Sequence, residues 1–354
     1  MIQEFLFKAL ISPIALLYGT GVAIRNALYN IGFLKGSSFT IPIISVGNLT
    51  VGGAGKTPHV EYLSEWLSKY IEISILSRGY KRQSKGFLEA NLYHRVEQVG
   101  DEAVQYKRKF PQLGIYVSES RVLGIPKIIA NRPQTQTIIL DDGFQHRAVS
   151  AGLNILLTEF DRPFTRDYLL PVGRLREWRQ GYRRADIIIV TKCPAVVKQE
   201  EKDRLILEIG LTKSQHLFFT RYIYGSPYHM FYPSMKATFH QNMHVLVISA
   251  IAKTDYLLDY LSERVAEVKS IEYEDHHQFT NYEVAQLKKQ FDHLSGDQKI
   301  IITTEKDAVR LERHKEYIRQ EEMPIYVLPA FVSFVDLELE FRQLIQNYLL
   351  QFKS

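Results

Sequence analysis

The residues with the clearest capacity for chemistry form a glycine-rich turn near the start of the chain. The turn consists of Thr50, Val51, Gly52, Gly53, Ala54, Gly55, Lys56 and Thr57. It follows an apolar run, Ile41–Val46, that predicts a strand, and it leads into a segment that can continue as a helix. Successive backbone N–H groups in such a turn bind anions, and the following helix N-terminus adds a partial positive charge. We predict a phosphate-binding loop in which Lys56 contacts the β- and γ-phosphates and the Thr57 hydroxyl binds Mg²⁺.

The turn departs from the strict pattern G-x-x-x-x-G-K-[ST], because its first glycine would fall at Thr50. Gly52 and Gly53 keep the backbone permissive, so we interpret the turn as a variant of the pattern. The alternative is a flexible glycine turn followed by Lys-Thr by chance. If that alternative held, the strand before the turn and the acidic pair later in the chain would also have to be present by chance.

This acidic pair, Asp141-Asp142, directly follows the apolar run Thr137–Leu140. A strand that ends in aspartate places a carboxylate where a phosphate-binding loop needs a ligand for Mg²⁺. Two adjacent carboxylates repel and raise each other's pKa, and a bound cation removes that conflict. We predict that Asp141 and Asp142 form a metal site together with Thr57. His146, shortly after the pair, either positions a phosphate or polar substrate group or is a surface histidine.

Two further polar residues lie at the ends of predicted elements. Arg78 follows the predicted strand Ile71–Leu76, and chemistry in an open parallel sheet collects at the carboxyl ends of its strands. Arg78 is therefore either close to the phosphates or a solvated arginine. Asp101 opens the predicted helix Asp101–Lys109. It is either a helix cap, which the residues alone favour, or a carboxylate that accepts a hydroxyl proton near the γ-phosphate.

Arginines are concentrated between residues 174 and 184, where there are five within eleven residues: Arg174, Arg176, Arg179, Arg183 and Arg184. The guanidinium group is a planar fork suited to phosphate, which indicates an anionic substrate or a lipid headgroup. The alternative is an exposed amphipathic helix. Further along, His276 and His277 stand side by side, which makes them a poor metal pair because neighbouring strand residues point to opposite faces. One of them could accept a proton or orient a base.

Alternating strands and helices are needed to position these groups. Further strands are predicted at Ile115–Val117, Leu153–Thr158, Ile187–Val190, Val245–Ser249, Ile300–Thr304 and Ile325–Leu328. Helices are predicted at Glu61–Tyr70, Ser118–Asn131, Thr254–Val268 and Leu337–Phe352. The alternation predicts an α/β protein with a parallel sheet of the P-loop NTPase type. An aromatic stretch with Gly and Pro, Tyr222–Pro233, indicates a junction to a second, smaller α/β domain.

We predict the following division of the chain. Residues 1–30 are an apolar, membrane-associating helical segment, 31–225 are the core domain, 226–335 are a smaller lid domain with its linker, and 336–354 are a C-terminal helix packed on the core. The first segment is interrupted by Lys8, Pro13, Gly19 and Gly21, so it is too broken to predict a membrane-spanning helix. It is either a helix lying in the membrane interface or a helix pair packed on the sheet.

Composition narrows the possible classes of protein. With 354 residues, 45% of them apolar, the chain can form two cores. A single cysteine, Cys193, excludes a disulfide framework and favours a reducing compartment, where we expect it to be a buried bystander. The net charge of +5 is modest, and no basic run is interleaved with aromatic residues, so we predict no nucleic-acid partner.

The motifs occur together in one order. They are GNLTVGGAGKTP, LSRGYKR, VGDE, LDDGFQHR, LPVGRLRE, the DHH segment and TTEKDAVRL. In this order and spacing the chain resembles the tetraacyldisaccharide 4′-kinases, the lipid A 4′-kinases of Gram-negative bacteria. The resemblance implies ATP- and Mg²⁺-dependent phosphorylation of the 4′-hydroxyl of a tetraacylated glucosamine disaccharide 1-phosphate, by a peripheral protein on the cytoplasmic face of the inner membrane. It also implies two domains, joined by a two-stranded linker, that close over the nucleotide. We expect a monomer.

The resemblance also assigns roles to residues. Lys56 and Thr57 match the phosphate-loop pair, and Asp141 and Asp142 match the acidic metal motif. Asp101 matches the family's general base, which overrules the preference for a cap, and His276 matches the histidine that supports this base from the other domain. Positions near the phosphates or the substrate are matched by Arg78, His146, Arg176 and Glu177, and we add Arg174 from the arginine cluster. One departure is Ala103, where proline is expected after GDE.

Two other classes of protein remain open on the residues. One is a P-loop GTPase or metallochaperone with a membrane-associated N-terminus, whose second domain senses the nucleotide and which phosphorylates nothing. The other is a basic membrane-surface adaptor without enzymatic activity. Preference for GTP would favour the first, and liposome binding without ATP turnover would favour the second.

Overall fold

The computed structural model describes residues 2–352, and side chains from residue 10 onward. Residues 1, 353 and 354, which the predicted segments 1–30 and 336–354 include, lie outside the described residues. The helices, numbered along the chain, are α1 (Ile2–Asn30), α2 (Lys56–Leu67), α3 (Val96–Val99), α4 (Asp101–Lys109), α5 (Arg121–Asn131), α6 (Gln199–Ile209), α7 (Asp255–Ser262), α8 (Asn281–Asp292), α9 (Glu305–Leu311), α10 (Lys315–Gln320) and α11 (Glu338–Gln351). Turns of 3₁₀ helix occupy Phe164–Arg166, Arg179–Arg184 and Glu312–His314.

The strands confirm the predicted α/β class. They are β1 (Ile43–Asn48), β2 (Ile73–Ser77), β3 (Leu88–Glu89), β4 (Gly114–Val117), β5 (Thr137–Asp141), β6 (Leu153–Glu159), β7 (Ile187–Thr191), β8 (His216–Tyr224), β9 (Tyr228–His229), β10 (His244–Ser249), β11 (Glu267–Glu272), β12 (Lys299–Thr304), β13 (Ile325–Leu328) and β14 (Ala330–Phe334). The predicted helix Thr254–Val268 is wrong at its end, because α7 stops at Ser262 and β11 begins at Glu267. β11 is an edge strand, and its charged residues interrupt the apolar alternation that would have predicted a strand.

The larger sheet sets the position of the glycine-rich turn. Within residues 2–352 its nine strands follow the order β14-β8-β7-β6-β1-β5-β2-β4-β3, and only its edge strands β3 and β14 run antiparallel to their neighbours. β1 lies between β5 and β6, with Val46 in register with Asp141. Because the carboxyl ends of parallel strands meet at one edge of the sheet, the turn after β1 and the acidic pair after β5 emerge side by side.

A second sheet forms the smaller domain. Among the described residues it has five strands in the order β11-β10-β12-β13-β9, all parallel except β9. Its apolar core is separate and includes Leu246, Ile301 and Ile325. The predicted boundary at residue 335 assigns β14 to this domain, but β14 pairs with β8 in the larger sheet. The error arises because β14 follows β13 after Pro329 alone, so no change in composition marks the return.

The chain passes between the two sheets twice, at neighbouring points. The outgoing connection contains Gly225 and the returning one contains Pro329, and the Gly225 N–H donates to the Pro329 carbonyl at 3.0 Å. After the return, α11 packs on the larger sheet, where Phe341 and Ile345 are buried beside Phe218. The two connections lie side by side, so the smaller domain is attached at one hinge-like point.

The N-terminal segment is one continuous helix, α1, rather than the helix pair considered above, and Pro13 lies inside it. One side packs on residues 168–184: the Trp178 indole N–H donates to the Gly19 carbonyl at 2.8 Å. A Cβ at residue 19 would lie 2.5 Å from the Leu169 side chain and 2.9 Å from the Trp178 ring, so a larger residue here would push these side chains away. The other side exposes Leu10, Ile14, Leu16, Leu17 and Ile24. None of the helices in residues 2–352 is both long and apolar enough to span a membrane.

Candidate active site

The glycine-rich turn has the geometry of an anion-binding loop. Gly52 and Gly55 take positive φ angles of 100° and 88°, and Gly55 is the N-cap of α2, so Lys56 and Thr57 open that helix. Thr50 has no left-handed backbone, which explains why the glycine of the strict pattern is dispensable there. Thr50 instead lies in an antiparallel bridge to Leu175, whose hydrogen bonds are made by the neighbouring residues Leu49 and Val51. The glycines of the turn line one cleft together with Lys56 and Thr57 at the N-terminus of α2, an arrangement that suits an anion.

A buried histidine, His59, forms a hydrogen bond to the glycine-rich turn. His59 Nδ1 lies 2.7 Å from the Gly55 carbonyl oxygen, and its Nε2 lies 3.0 Å from the Thr220 hydroxyl. Burial lowers the pKa of His59 to about 4, although the Gly55 bond opposes this. The ring is therefore neutral at pH 7 and donates one hydrogen bond to the turn without adding charge.

Lys56 lies between the turn and the acidic pair. Its ammonium group donates to Asn48 Oδ1 at 3.0 Å and lies 3.6 Å from Asp142 Oδ1. Arg176 donates to the same carboxylate at 2.8 Å. Burial alone would raise the pKa of Asp142, but Lys56 and Arg176 lower it to about 2. Asp142 is thus ionised and holds the lysine and the arginine at the mouth of the turn.

In Asp141, the other member of the pair, burial and Asp142 raise the pKa more than Lys56, Tyr106 and Arg121 lower it. Burial, and then the charge of Asp142, raise the pKa of Asp141 above its usual range. The buried Arg121 donates to the main-chain carbonyls of Asp141 at 3.3 Å and Asp142 at 3.5 Å, rather than to either carboxylate. A divalent cation beside these carboxylates and the Thr57 hydroxyl would offset the repulsion, and oxygen ligands of this kind suit Mg²⁺.

Asp101 is not a helix cap. It is the first residue of α4, the N-cap position is held by Gly100, and Asp101 Oδ1 accepts the Glu102 N–H at 3.1 Å. Its other oxygen, Oδ2, lies 3.1 Å from His276 Nδ1 and 3.7 Å from Lys306 Nζ. Oδ2 also accepts two hydrogen bonds from the Arg310 guanidinium group.

Asp101 is ionised in this setting. Burial opposes its ionisation, but a hydrogen bond with the Glu102 side chain, the charges of Lys306 and Arg310, and the His276 hydrogen bond hold the pKa of Asp101 well below its usual range. Asp101, Glu102 and His276 also form a three-residue group of the kind that can hold a metal ion. Lys306 and Arg310 already supply positive charge there, which argues against a cation at this point.

His276 brings the smaller domain to the site. It has a positive φ of 63°, its ring lies 4.8 Å from the Tyr80 ring, and its carbonyl accepts a hydrogen bond from Lys81 at 3.3 Å. Its neighbour His277 is turned away, with Nε2 3.0 Å from Glu283. The structure therefore brings Asp101 and His276 together, although they are 175 positions apart in the chain.

A cleft between the domains contains these groups. Its walls include the glycines of the turn and Lys56 on one side, and Ala252, Tyr256 and His276 on the other. A Cβ at Gly53 would lie 3.0 Å from the Ala252 methyl group, so the domains are in close contact over the turn. His276 lines the cleft, whereas Asp101 is 3% exposed and lies behind it.

A positively charged patch lies beside the acidic pair. Arg78 is exposed at the end of β2, and burial lowers the pKa of His146 to about 4, with Arg121, Arg78 and Arg25 acting in the same direction. His146 Nε2 is buried and has no hydrogen-bond partner among the described residues. The structure thus places the predicted Arg78 and His146 near two arginines that sequence reasoning did not assign to the site, Arg121 and Arg25. Among the described residues, no carboxylate is paired with His146.

Arg174 and Glu177 were predicted to contact a phosphate or the substrate, but in the structure both side chains form ion pairs within the protein. Arg174 Nε donates to Asp167 at 2.9 Å and its Nη1 to Glu159 at 3.2 Å. Glu177 accepts two bonds of 2.8 Å from Arg184 and one of 2.9 Å from Asn26 in α1. Backbone bonds from Val51 to the Arg174 carbonyl and from Arg176 to the Leu49 carbonyl fasten this segment to the turn. Direct substrate contact by these two side chains remains a prediction.

Several residues of the site were not found by sequence reasoning. They are Asn48, Arg121, Lys306 and Arg310. Asn48 lies in GNLT, and Lys306 and Arg310 lie in TTEKDAVRL, so the motifs contained them without indicating their roles. Arg121 follows β4 in an unremarkable Ser-Glu-Ser-Arg segment, and only its burial at 3% exposure distinguishes it. Cys193 is buried, as predicted, and burial raises its pKa to about 12.

Comparison with known proteins gives a consistent result. A family model described as tetraacyldisaccharide-1-P 4′-kinase matches residues 7–350. A tetraacyldisaccharide 4′-kinase of Phocaeicola vulgatus is 41% identical over 343 residues, covering 95% of this chain and 94% of the relative. One of Flavobacterium johnsoniae is 38% identical over 344 residues, covering 97% and 98%.

The fold comparison agrees with these relatives. The crystal structure of LpxK from Aquifex aeolicus in complex with ATP superposes with a TM-score of 0.72 at 28% identity, covering 97% of this chain and 99% of that chain. Sequence and fold thus match over nearly their full lengths, and the site has a glycine-rich turn in the interdomain cleft, an acidic pair beside Lys56 and an aspartate–histidine pair across the domain interface. The chain belongs to the tetraacyldisaccharide-1-P 4′-kinase family.

Proposed function

We propose that this protein transfers the γ-phosphoryl group of ATP to the 4′-hydroxyl of a tetraacylated glucosamine disaccharide 1-phosphate, a step of lipid A biosynthesis. The observation that carries the proposal is that Lys56, which lies 3.6 Å from Asp142, and His276 line one interdomain cleft in a member of this kinase family. A GTPase or metallochaperone needs no proton acceptor facing its nucleotide. The His276–Asp101 pair therefore favours phosphoryl transfer to a hydroxyl group over that alternative.

The phosphates of ATP are bound by the backbone N–H groups of the turn and by Lys56. Phosphoryl transfer has a loose transition state, so catalysis depends mainly on positioning and on neutralising charge. Thr57, Asp141 and Asp142 would hold Mg²⁺, which neutralises charge on the β- and γ-phosphates when bound. Lys56 is already placed between the turn and Asp142, and it needs to move only from the carboxylate to a phosphate oxygen.

The geometry favours His276 as the group that takes the proton from the sugar hydroxyl. Its Nδ1 faces the ionised Asp101, so we assign the ring proton to Nδ1, and Nε2, which lies 3.4 Å from the Lys306 ammonium group, is the atom left to accept a proton. The ring lines the cleft, while Asp101 lies behind it with Oδ2 surrounded by donors. We therefore assign Asp101 to orienting His276 and stabilising its protonated form, which reverses the roles expected from the sequence.

The lipid acceptor is delivered from a membrane surface in this proposal. The apolar face of α1 is exposed, and Arg25, in the same helix, donates to the Gln145 carbonyl of the DDGFQH motif at 3.0 Å. A helix that lies in the interface would thus be tied directly to the segment that carries the acidic pair. We propose peripheral attachment to the cytoplasmic face of the inner membrane. We also propose a monomer, because one chain supplies both walls of the cleft.

The decisive experiment measures transfer of label from ATP to a tetraacyl disaccharide 1-phosphate in detergent micelles. Label on the lipid that depends on Lys56 supports the proposal. Label released as free phosphate at a rate unaffected by lipid, or faster with GTP, favours the NTPase alternative. Binding to anionic vesicles that persists in Lys56→Ala, with no turnover of either nucleotide, favours the adaptor.

A further inference from the structure

The interface between the two domains is a set of matched charges on α4 and α9. α4 belongs to the larger domain and carries acids at its first turn and bases at its last. The smaller domain presents the complementary charges from α9 and the 3₁₀ turn after it. Across the interface the pairs are Asp101 with Arg310, Glu102 with Lys306 at 2.9 Å, Lys109 with Glu305 at 3.1 Å, and Arg108 with Glu312.

Arg310 differs from the other members of this interface in its burial. Its side chain is 0% exposed, whereas those of Arg108 and Glu312 are 33% and 36% exposed. Within its own domain the Arg310 Nη1 donates to the Ala250 carbonyl and to Asp307 Oδ1, both at 2.8 Å. The guanidinium group is thus fixed from behind and aimed across the interface.

The carboxylate that anchors Arg310 is itself held firmly. Asp307 is 0% exposed, and its Oδ2 accepts the Thr304 hydroxyl at 2.7 Å and the Ala250 N–H at 3.1 Å. Asp307 therefore uses one oxygen to fix the start of α9 and the other to fix Arg310. A planar guanidinium group held on one edge presents its remaining donors in a single direction.

Those remaining donors meet Asp101 Oδ2, the same oxygen that faces His276. Arg310 Nε lies 3.1 Å from Oδ2, and Arg310 Nη2 lies 3.2 Å from His276 Nδ1. Arg310 and His276 both come from the smaller domain, and they reach Asp101 together. A buried ion pair adds little net stability, because desolvation offsets the attraction between its charges. Its position on the carboxylate that orients His276 points to a role in the reaction.

We propose that Arg310 is a positioning residue: on closure of the domains it docks on Asp101 Oδ2 and sets the direction of the Asp101–His276 hydrogen bond. The proton acceptor is then complete only when the cleft is closed. This inference rests on the proposed function. The inference accounts for the position of Asp101 at the interface between the domains. It also makes closure of the domains a condition for phosphoryl transfer.

The test compares Arg310 with an arginine of the same interface that does not touch Asp101. Arg310→Lys keeps the charge and loses the fork, Arg310→Met removes both, and Arg108→Met breaks the matched pair with Glu312. Steady-state rates of lipid phosphorylation are measured against ATP concentration, and thermal unfolding of each variant is recorded. We expect Arg310→Met to lower kcat about 100-fold, the size of effect of a small misplacement of a catalytic group, with KM for ATP within about threefold. Arg310→Lys should be intermediate, and Arg108→Met should change kcat less than about threefold.

A double-mutant cycle with Asp101→Asn separates positioning from simple closure. If Arg310 acts through Asp101, Arg310→Lys should lower kcat much less in the Asp101→Asn protein than in the parent. Equal effects in both backgrounds would overturn the proposal. So would equal losses for Arg310→Met and Arg108→Met, or a raised KM for ATP at unchanged kcat in Arg310→Lys.

The role of Arg310 and the proposed function can fail separately. Should Arg310→Met fail to fold, Arg310→Lys and the cycle decide the question. Should the parent bind ATP and transfer no label to the disaccharide, the proposed function fails before any variant is compared. A parent that phosphorylates the lipid while Arg310→Lys matches it in kcat refutes only the role of Arg310.

Discussion

Replacement of Lys56 by alanine tests the phosphate-binding turn most directly. The ammonium group and the Asp142 carboxylate, 3.6 Å apart, attract each other by about 4 to 5 kcal/mol at an effective dielectric constant of about 20. The same ammonium beside a phosphoryl oxygen in the cleft should be worth a comparable amount. Losing one fixed electrostatic contact to a transition state costs about 3 to 4 kcal/mol in other enzymes. Since about 1.4 kcal/mol is tenfold in rate, we expect kcat/KM to fall about 10³-fold.

The assay is the initial rate of label transfer from ATP to the disaccharide acceptor, with the concentrations of ATP and lipid varied separately. Lys69→Ala is the matched control, because Lys69 follows α2 at its far end and its side chain is 63% exposed. That control should retain kcat/KM within about twofold, as expected for a surface substitution. Thermal unfolding of both variants shows whether any loss of activity reflects loss of the fold.

A folded Lys56→Ala protein that kept kcat/KM within about tenfold of the parent would contradict this reasoning. The lysine would then serve only to pair with Asp142, and the turn would bind phosphate through its backbone alone. An equal loss in Lys69→Ala would also count against the role of Lys56 in phosphate binding, because it would show a general effect of removing positive charge from α2 and the residues that follow it.

Three more predictions concern neighbouring residues. Asp101→Asn should lower kcat about 100-fold or more and KM for ATP little, because an amide cannot stabilise the protonated His276; loss of ATP binding at unchanged kcat in steady-state kinetics would be the contrary result. Glu177→Ala should lower the free energy of unfolding by about 2 kcal/mol in a denaturant titration, since the partly buried Arg184 and Asn26 lose the carboxylate that accepts their hydrogen bonds, whereas lost activity at unchanged stability would support a substrate contact. Asp142 has its pKa lowered from 3.8 to about 2, so its stabilisation is complete above pH 3.8 and is lost as the pH falls towards 2. Arg176→Met should raise that pKa and move acid unfolding, followed by circular dichroism, to higher pH; an unchanged midpoint would refute the pairing.

The sequence by itself determined the local parts of the site. The turn from Thr50 to Thr57 and the strand ending at Asp141 are contiguous signals, in which glycine, β-branched residues and carboxylates act on their immediate neighbours. Such signals depend on backbone freedom and on alternation over a few residues, so they can be read without knowing the fold. The helix Asp101–Lys109 and the strand Ile325–Leu328 were predicted with the bounds that the structure shows.

Only the tertiary structure decided which of these side chains are free and which are already paired. Arg174 and Glu177 resemble binding residues in the sequence, yet both are held by internal ion pairs. Arg310 resembles an ordinary helix residue, yet it reaches Asp101 across 209 positions of sequence. Long-range contacts of this kind depend on strand order and on how the two domains pack against each other, which local periodicity does not encode. The form of the turn is therefore a property of a short segment, and the contact of Asp101 with His276 and Arg310 is a property of the folded molecule.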